Sequence, residues 1–552
     1  MARGSSGRSV AGMSHALTAQ PANGGGMRRG GAGSRRGESS SEREQLLAAM
    51  NDAATYGRSG PVRRRETHAS WVFLAGRGAY KVKKPVKLAF LDYSTAELRH
   101  AACREELRVN RELAGDVYLG VRAIVPTPDG FALGREDDPR AVEYAVQMRR
   151  FEESRTLRGL IESGELQEHD LREVARTLAR FHERAAPVSG AGPAQLLWRW
   201  QENLQELERL VDPATWRLHH MREFGHAFIS AHTAEINQRL RAGLARDCHG
   251  DLRCEHVLLE DGVRVLDRIE FDPALRHLDV GADLAFLWMD LQASGQPQAA
   301  RRLLAEYRKA GGRAGSDALI CFHAAYWALV RAKVELLGCG GSARAERLRE
   351  LAERLCWRAR GALAVILCGP TASGKSTLAA ELARRSGLPV LASDQIRKRL
   401  AGVGCDERAG AEHYSAEFTA ATYRALGHAA HARLSHEEGV ILDATCRTAE
   451  QRAELFGALG EVSDQLLFVH CDVSALCALE RARGRMREAH RISDATPQIA
   501  AEQHRGFQPP RELPAQLTLR LDCEQPVARQ ADILTRTLDR RMALGARGVP
   551  TT

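Results

Sequence analysis

The sequence predicts two mixed units in tandem: an α+β unit of two lobes, then an α/β unit whose parallel sheet is covered by helices. Three observations carry this. Between about residues 45 and 150, short β-type runs surround one long helical pattern, and helical patterns then dominate to 246 and again over 283–358. From "GALAVILCGP" onward, near-continuous apolar runs alternate with helical patterns, as in a parallel sheet buried on both faces. Each stretch also has its own set of spaced polar residues, "HGDLRCEHVLLEDGVRVLDRIEFD" over 249–272 and "GPTASGKST" over 369–377.

The 552 residues suffice for two or three domains, and 44% hydrophobic with 27% charged residues is ordinary for a globular protein. No apolar run approaches the ~20 residues of a membrane span, so a soluble chain is expected. Residues 1–44, rich in Gly, Ser and Arg, lack the apolar centre of a secretory signal and read as a disordered basic tail, within which Met13 and Met27 are alternative starts. Seven Arg against three Glu place +4 of the net +9 in the first 50 residues. The remainder is spread thinly, which reads as solvated surface and does not favour a nucleic-acid partner. Twelve cysteines without a Cys-x-x-Cys pair point to reduced thiols in a cytoplasmic protein, with no zinc site.

In chain order, "SEREQLLAAMNDAATYG" reads as a short helix opened by Ser41, and "SWVFLAGRGAYKVKK" as a hairpin. "STAELRHAACREELRVNRELAG" is helical, capped by Ser94 and stopped at Gly115. "YLGVRAIVPTPDGFALG" and "AVEYAVQMRRF" supply further strands, and 154–246 is mostly helical. This gives a first domain at 45–345, a helical connector at 346–360 and a second domain at 361–545. The strands of the second domain are "LAVILC", "PVLAS", "GVILDA", "DQLLFVHC" and "LTLRLDC".

Gly369-Pro370-Thr371-Ala372-Ser373-Gly374-Lys375-Ser376-Thr377 follows an apolar strand and opens a helix, the context a phosphate-binding loop needs. Its glycines let backbone N–H groups wrap phosphates, Lys375 reaches the outer phosphates and Ser376 holds Mg²⁺. Asp394 and Arg397, in "ASDQIRKRL", follow the next strand, where an acceptor hydroxyl could give its proton to Asp394 while Arg397 holds substrate charge or packs the loop. Asp443 ends "GVILD", placed to hold a metal-bound water or to cap a helix. Arg481, Arg483, Arg485 and Arg487 form a basic segment suited to a lid or to a solvated helix.

Within "HGDLRCEH…VRVLD", Asp251 falls in a loop, His256 follows five positions on, and Asp267 ends a strand. That is the order of a base, a metal ligand and a second metal carboxylate in phosphoryl transfer. Upstream, "AYKVKKP" offers Lys81 or Lys83 for phosphate, and "CREELRVN" offers Glu105 or Glu106 to hold the lysine.

The C-terminal 180 or so residues, through "GPTASGKST", "SDQIRK", "VILDAT" and "ERARGR…SDA", resemble the P-loop kinase group of polynucleotide, gluconate and zeta-toxin-like kinases. That resemblance implies Asp394 at the acceptor hydroxyl, Arg397 supporting the substrate side, and Arg481 and Arg485 as nucleotide contacts of a lid. The first 300 or so residues, through "HGDL", the later "LD" and "LDVGADLAFL", resemble the aminoglycoside-phosphotransferase-like branch of the kinase-like fold. "THASWVFLAG…YKVKKPV…FLDYST" with "DRIEFDPALRHLDVGADLAFLWMDL" is closer still to bacterial proteins that fuse such a domain to a P-loop kinase. This implies ATP and Mg²⁺ as cofactors, Asp251 as base, Asp267 as metal ligand, Lys81 as phosphate ligand and Glu106 as its partner. Two departures stand out. His256 occupies the metal position where the broader family has Asn, and no Gly-x-Gly-x-x-Gly loop precedes Lys81.

The expected activity is a bifunctional ATP-dependent phosphotransferase acting on a hydroxyl of a small metabolite. A polynucleotide 5′-hydroxyl kinase is the alternative among enzymes. A nucleotide-binding regulatory protein with an inactive first domain is the alternative outside them. His182 reads as a hydrogen-bonded helix residue, and Trp198 and Trp200 as core.

Overall fold

The computed structural model describes residues 40–545 apart from 68, 89–90, 339–340, 405–406, 408–409, 461–465 and 486–496. Its chain divides into two compact units. One comprises residues up to 211 with 235–315 and 326–349; the other comprises 212–234, 316–325 and 350 onward. The linear division at 345 and 361 does not show this interleaving.

In the first unit, six antiparallel strands form one sheet: β1 (Val62–Glu66), β2 (Ser70–Ala75), β3 (Gly78–Lys83), β4 (Tyr118–Thr127), β5 (Gly130–Gly134) and β6 (Glu143–Arg149), in the order β1-β2-β3-β6-β4-β5. Period-two alternation sends Phe73, Tyr80, Val82 and Ala145 to a core that includes Met50, and Ala79, Val121 and Val146 to the opposite core. The second core contains Cys103 of the helix Ala96–Ala114, together with Leu258 and Leu266. Leu258 lies on β7 (Val257–Leu259), which pairs with β8 (Val263–Val265). Leu266 therefore anchors the start of the Asp267 segment against the sheet that carries Lys81.

Three local expectations change. Thr95, not Ser94, caps the long helix, its hydroxyl accepting from Leu98 N–H at 3.3 Å, while Ser94 bonds Asp92. The strand expected to end at Asp267 stops at Val265, and Asp267 takes a left-handed backbone conformation with φ 60°. Trp200 is core, but Trp198 is 44% exposed.

The second unit holds a five-stranded parallel sheet of β9 (Ala364–Cys368), β10 (Val390–Ala392), β11 (Val440–Asp443), β12 (Leu466–Asp472) and β13 (Thr518–Asp522), in the order β10-β11-β9-β12-β13. Val365 and Leu367 pack to one side with Leu378 and Leu534, whereas Ala364, Ile366 and Cys368 pack to the other with Leu426 and Leu455. Residues buried on both faces explain the unbroken apolar strands. The helix Leu218–Ala231 belongs to this unit. His220 Nε2 lies 3.3 Å from Asp532, Arg536 pairs with Glu223 at 3.3 Å, and the Arg360 guanidinium sits 4.7 Å from the Phe224 ring centroid. Among the described residues, no helix is long and apolar enough to cross a membrane, and the ten described cysteines are free.

Candidate active sites

In the first unit, β3, the long helix and the 249–272 segment bring their charges together. Lys81 Nζ lies 2.8 Å from both Glu106 Oε1 and Asp267 Oδ1, partners 25 and 186 positions away. Lys83, two residues along β3, reaches the other Glu106 oxygen at 2.5 Å and also pairs with Glu270, which accepts from Tyr93 Oη at 3.1 Å. Glu105 instead turns out to Arg108. The helix position buries Glu106 and leaves its neighbour half-buried on another face, which decides between them.

Asp251 is 2% exposed, and both its carboxylate oxygens are held by Arg253, at 2.8 and 2.9 Å. Burial pushes the Asp251 carboxyl up, but Arg253 and then His256 more than offset this and hold it below the usual carboxylate range. His256 Nδ1 lies 2.8 Å from the Asp251 carbonyl, and its Nε2 lies 3.9 Å from Asp267 Oδ2. The loop is braced from below by the helix Val280–Ala293. Asp283 accepts from His249 N–H at 3.1 Å and Gly250 N–H at 2.8 Å and pairs with His182, while Asp290 accepts from Cys254 N–H and from Arg158. Arg253 and the Lys83–Glu270 pair were not singled out from the sequence. For Arg253, its place two residues after Asp251 was the available signal.

His249 is wholly buried with both ring nitrogens engaged. Nε2 donates to Leu266 O at 2.8 Å, and Nδ1 accepts from Asp251 N–H at 3.2 Å. Only the neutral ring satisfies both, and burial, partly opposed by Asp283, lowers its pKa from 6.5 to about 4. A depressed histidine pKa means that the unfolded chain binds the extra proton between these values, so stability falls as pH drops from about 6.5 to 4. The expected loss is about 3 kcal/mol. Urea unfolding at pH 7 and pH 4 checks it: wild type weakens in acid, and His249→Gln loses most of that dependence.

In the second unit, the loop 369–374 joins β9 to the helix Lys375–Ser386. Gly369 has φ 154° and a side chain there would meet Cys471 O at 2.7 Å; Gly374 has φ 99°. Lys375 Nζ donates to Pro370 O at 2.8 Å, and Arg481 ties Ser373 O (3.3 Å) to Cys523 O (2.8 Å). Thr371 N–H and Oγ1 both donate to Gln503 Oε1, at 3.1 and 2.7 Å. Asp443 ends β11, in register with Leu367 of the strand that feeds the loop. Asp394 sits in the first turn of the helix Ser393–Ala401, beside the end of β10. Arg397 donates to His413 O at 2.6 Å and stacks 4.7 Å from the Tyr414 ring, so it supports the 411–419 stretch. The Arg485 side chain and Arg487 lie outside the described residues. A cavity of about 430 Å³ opens beside Pro370, walled by His470 stacked on Phe507 (5.0 Å), His504 and Arg520.

Residues 72–319 match the family described as phosphotransferase enzyme family, and residues 365–510 match an AAA domain family. Uncharacterized protein Rv2004c of Mycobacterium tuberculosis and Uncharacterized protein Mb2027c of Mycobacterium bovis are each 34% identical over 460 residues, covering 79% of this chain and 88% of theirs. Among solved structures, a gluconokinase from Sinorhizobium meliloti matches at 20% identity and TM-score 0.23, over 34% of this chain and 94% of its own. A choline/ethanolamine kinase family protein from Mesorhizobium loti matches at 15% identity and TM-score 0.34, over 58% of this chain and 93% of its own. The chain belongs to the family of these mycobacterial proteins, as an ATP- and Mg²⁺-dependent kinase in which an aminoglycoside-phosphotransferase-like domain precedes a P-loop kinase domain.

Proposed function

We propose that the protein is bifunctional, each half transferring the γ-phosphoryl group of ATP to a hydroxyl of a small metabolite. The observation that carries this is the completeness of the first site: Lys81, Glu106, Asp267, His256 and Asp251 are linked by a chain of contacts, although the P-loop alone could supply the ATP chemistry. In the first unit Lys81 would hold phosphate and Asp251 would accept the acceptor's proton as its oxygen bonds to the γ-phosphorus and the bond to the β-bridging oxygen breaks, releasing ADP. Arg253 keeps Asp251 ionised. In the second unit Lys375 and the loop N–H groups hold the phosphates, Asp394 takes the proton, and Arg397 shapes the acceptor side.

The donor sets suit a divalent cation. Asp267 presents a second carboxylate oxygen beyond its bond to Lys81, and Ser376 and Asp443 flank the loop of the second unit. A bound Mg²⁺ supplies charge neutralisation on the phosphate oxygens. The protein's place in the cytoplasm is part of the same proposal, resting on reduced, unpaired cysteines.

The test incubates the full chain with γ-labelled ATP and a bacterial metabolite extract, beside Lys375→Ala, Asp251→Asn and the double variant. Two labelled products, one lost in each single variant, are expected. Loss of all label in Lys375→Ala alone would make the first half a binding domain and sink the bifunctional reading.

A further inference from the structure

We infer that the first site binds a divalent cation through an imidazole nitrogen as well as a carboxylate, and so takes an ion of the manganese, cobalt or zinc class at that position in preference to magnesium. This rests on the reading of residues 249–272 as an ATP site.

His256 is 6% exposed, and its tautomer is fixed twice over. Its Nδ1 faces the Asp251 carbonyl at 2.8 Å, a group that only accepts, so Nδ1 carries the hydrogen. Its Nε2 faces Arg253 Nη2 at 3.2 Å, a group that only donates, so Nε2 presents its lone pair. The same lone pair stands 3.9 Å from Asp267 Oδ2, while Glu255 pairs with the Arg253 guanidinium that donates to Nε2, so an entering cation takes the place of Arg253. The gap to Asp267 is too long for a hydrogen bond, and two facing acceptors repel one another. Ligand bonds of about 2.0–2.2 Å set neighbouring donor atoms around one ion roughly 3–4 Å apart, which is the spacing seen here.

The surroundings have the form that metal-binding histidines take. The distal ring N–H is tied to a backbone carbonyl, which orients the ring and aims the other nitrogen. Asp267 is equally constrained: Lys81 holds Oδ1 at 2.8 Å, Tyr118 Oη accepts from its N–H at 3.1 Å, and Oδ2 is left toward His256. A neutral nitrogen donor adds little for Mg²⁺, which prefers oxygen, and adds more for the softer first-row ions.

The experiment uses the full-length chain carrying Lys375→Ala, which silences the P-loop site, with Mn²⁺ and a non-hydrolysable ATP analogue. Pulsed electron paramagnetic resonance of the bound Mn²⁺ is expected to show the nitrogen coupling of a directly ligated imidazole, absent when His256→Asn is added. Equilibrium dialysis is expected to show the Mn²⁺-over-Mg²⁺ preference falling about tenfold in the Asn variant. Bound Mn²⁺ with oxygen couplings alone in the His256 chain would overturn the inference, and that spectrum needs no variant to fold. Nucleotide binding, followed separately by a fluorescent ATP analogue, tells which idea has failed. Its absence from the Lys375→Ala chain overturns the ATP-site reading itself, and its presence without nitrogen ligation overturns only the metal assignment.

Discussion

Replacing Lys375 with Ala is expected to lower phosphoryl transfer at the second site by about 10²–10³-fold while leaving the unit folded. Among the described residues, the hydrogen bonds of Lys375 go to neutral oxygens, Pro370 O at 2.8 Å and Ser373 Oγ at 3.4 Å. The ammonium is thus held at the mouth of its own loop with its charge uncommitted, ready for an incoming phosphate. Losing those two bonds costs about 1 kcal/mol each, too little to unfold a domain. The loop keeps its shape by other means: the positive φ of Gly369 and Gly374, Arg481 tying Ser373 to Cys523, and Gln503 holding Thr371. Steady-state kinetics beside a thermal melt check this. A fall in kcat with the melting temperature nearly unchanged is expected, and an unchanged kcat would remove Lys375 from the chemistry.

Both units could be read from the sequence because each repeats a simple physical pattern. β9, β11 and β12 are apolar on both faces because helices cover both, and the phosphate loop is marked by glycines where a side chain would strike Cys471 O or the backbone turns left-handed. What stayed hidden depends on pairings with no period. The sequence left open Lys81 or Lys83 and Glu105 or Glu106. The fold sets Glu106 between both lysines and turns Glu105 away toward Arg108, since one step along a helix turns a side chain by about 100°. The pairing of Arg253 with Asp251 and of Lys83 with Glu270 rests on backbone placement that local spacing does not encode. The strand was read two residues too far, to Asp267, because nothing in "VRVLD" signals the left-handed turn. The helix Leu218–Ala231 has an apolar stripe that says it must pack, but not on which unit.

The second large effect is expected from Asp251→Asn: transfer at the first site falls by about 10²–10⁴-fold, and nucleotide binding persists. The variant should also lose stability, by about 1–3 kcal/mol, because the buried Arg253 loses both its bonds to the carboxylate and keeps Glu255 as its ionic partner. The two losses have different causes and can be separated. Adding Arg253→Gln to Asp251→Asn removes the cation that lost those bonds, so unfolding in urea should return part of the way toward wild type while transfer stays at the level of the single variant. Activity recovering with stability would show that Asp251 acts only as a strut for the loop. The pH response follows from the same pair. With its carboxyl held below the ordinary range, Asp251 contributes its stability fully above the unfolded value of about 3.9 and loses it as pH falls toward the depressed folded value. A base so placed is ionised throughout the neutral range, so its proton-accepting role calls for Arg253 to loosen its grip as substrate arrives. Arg253→Lys, which keeps the charge but not the two-pronged hold, is the variant in which that step should become visible as a change in kcat with ATP affinity little altered.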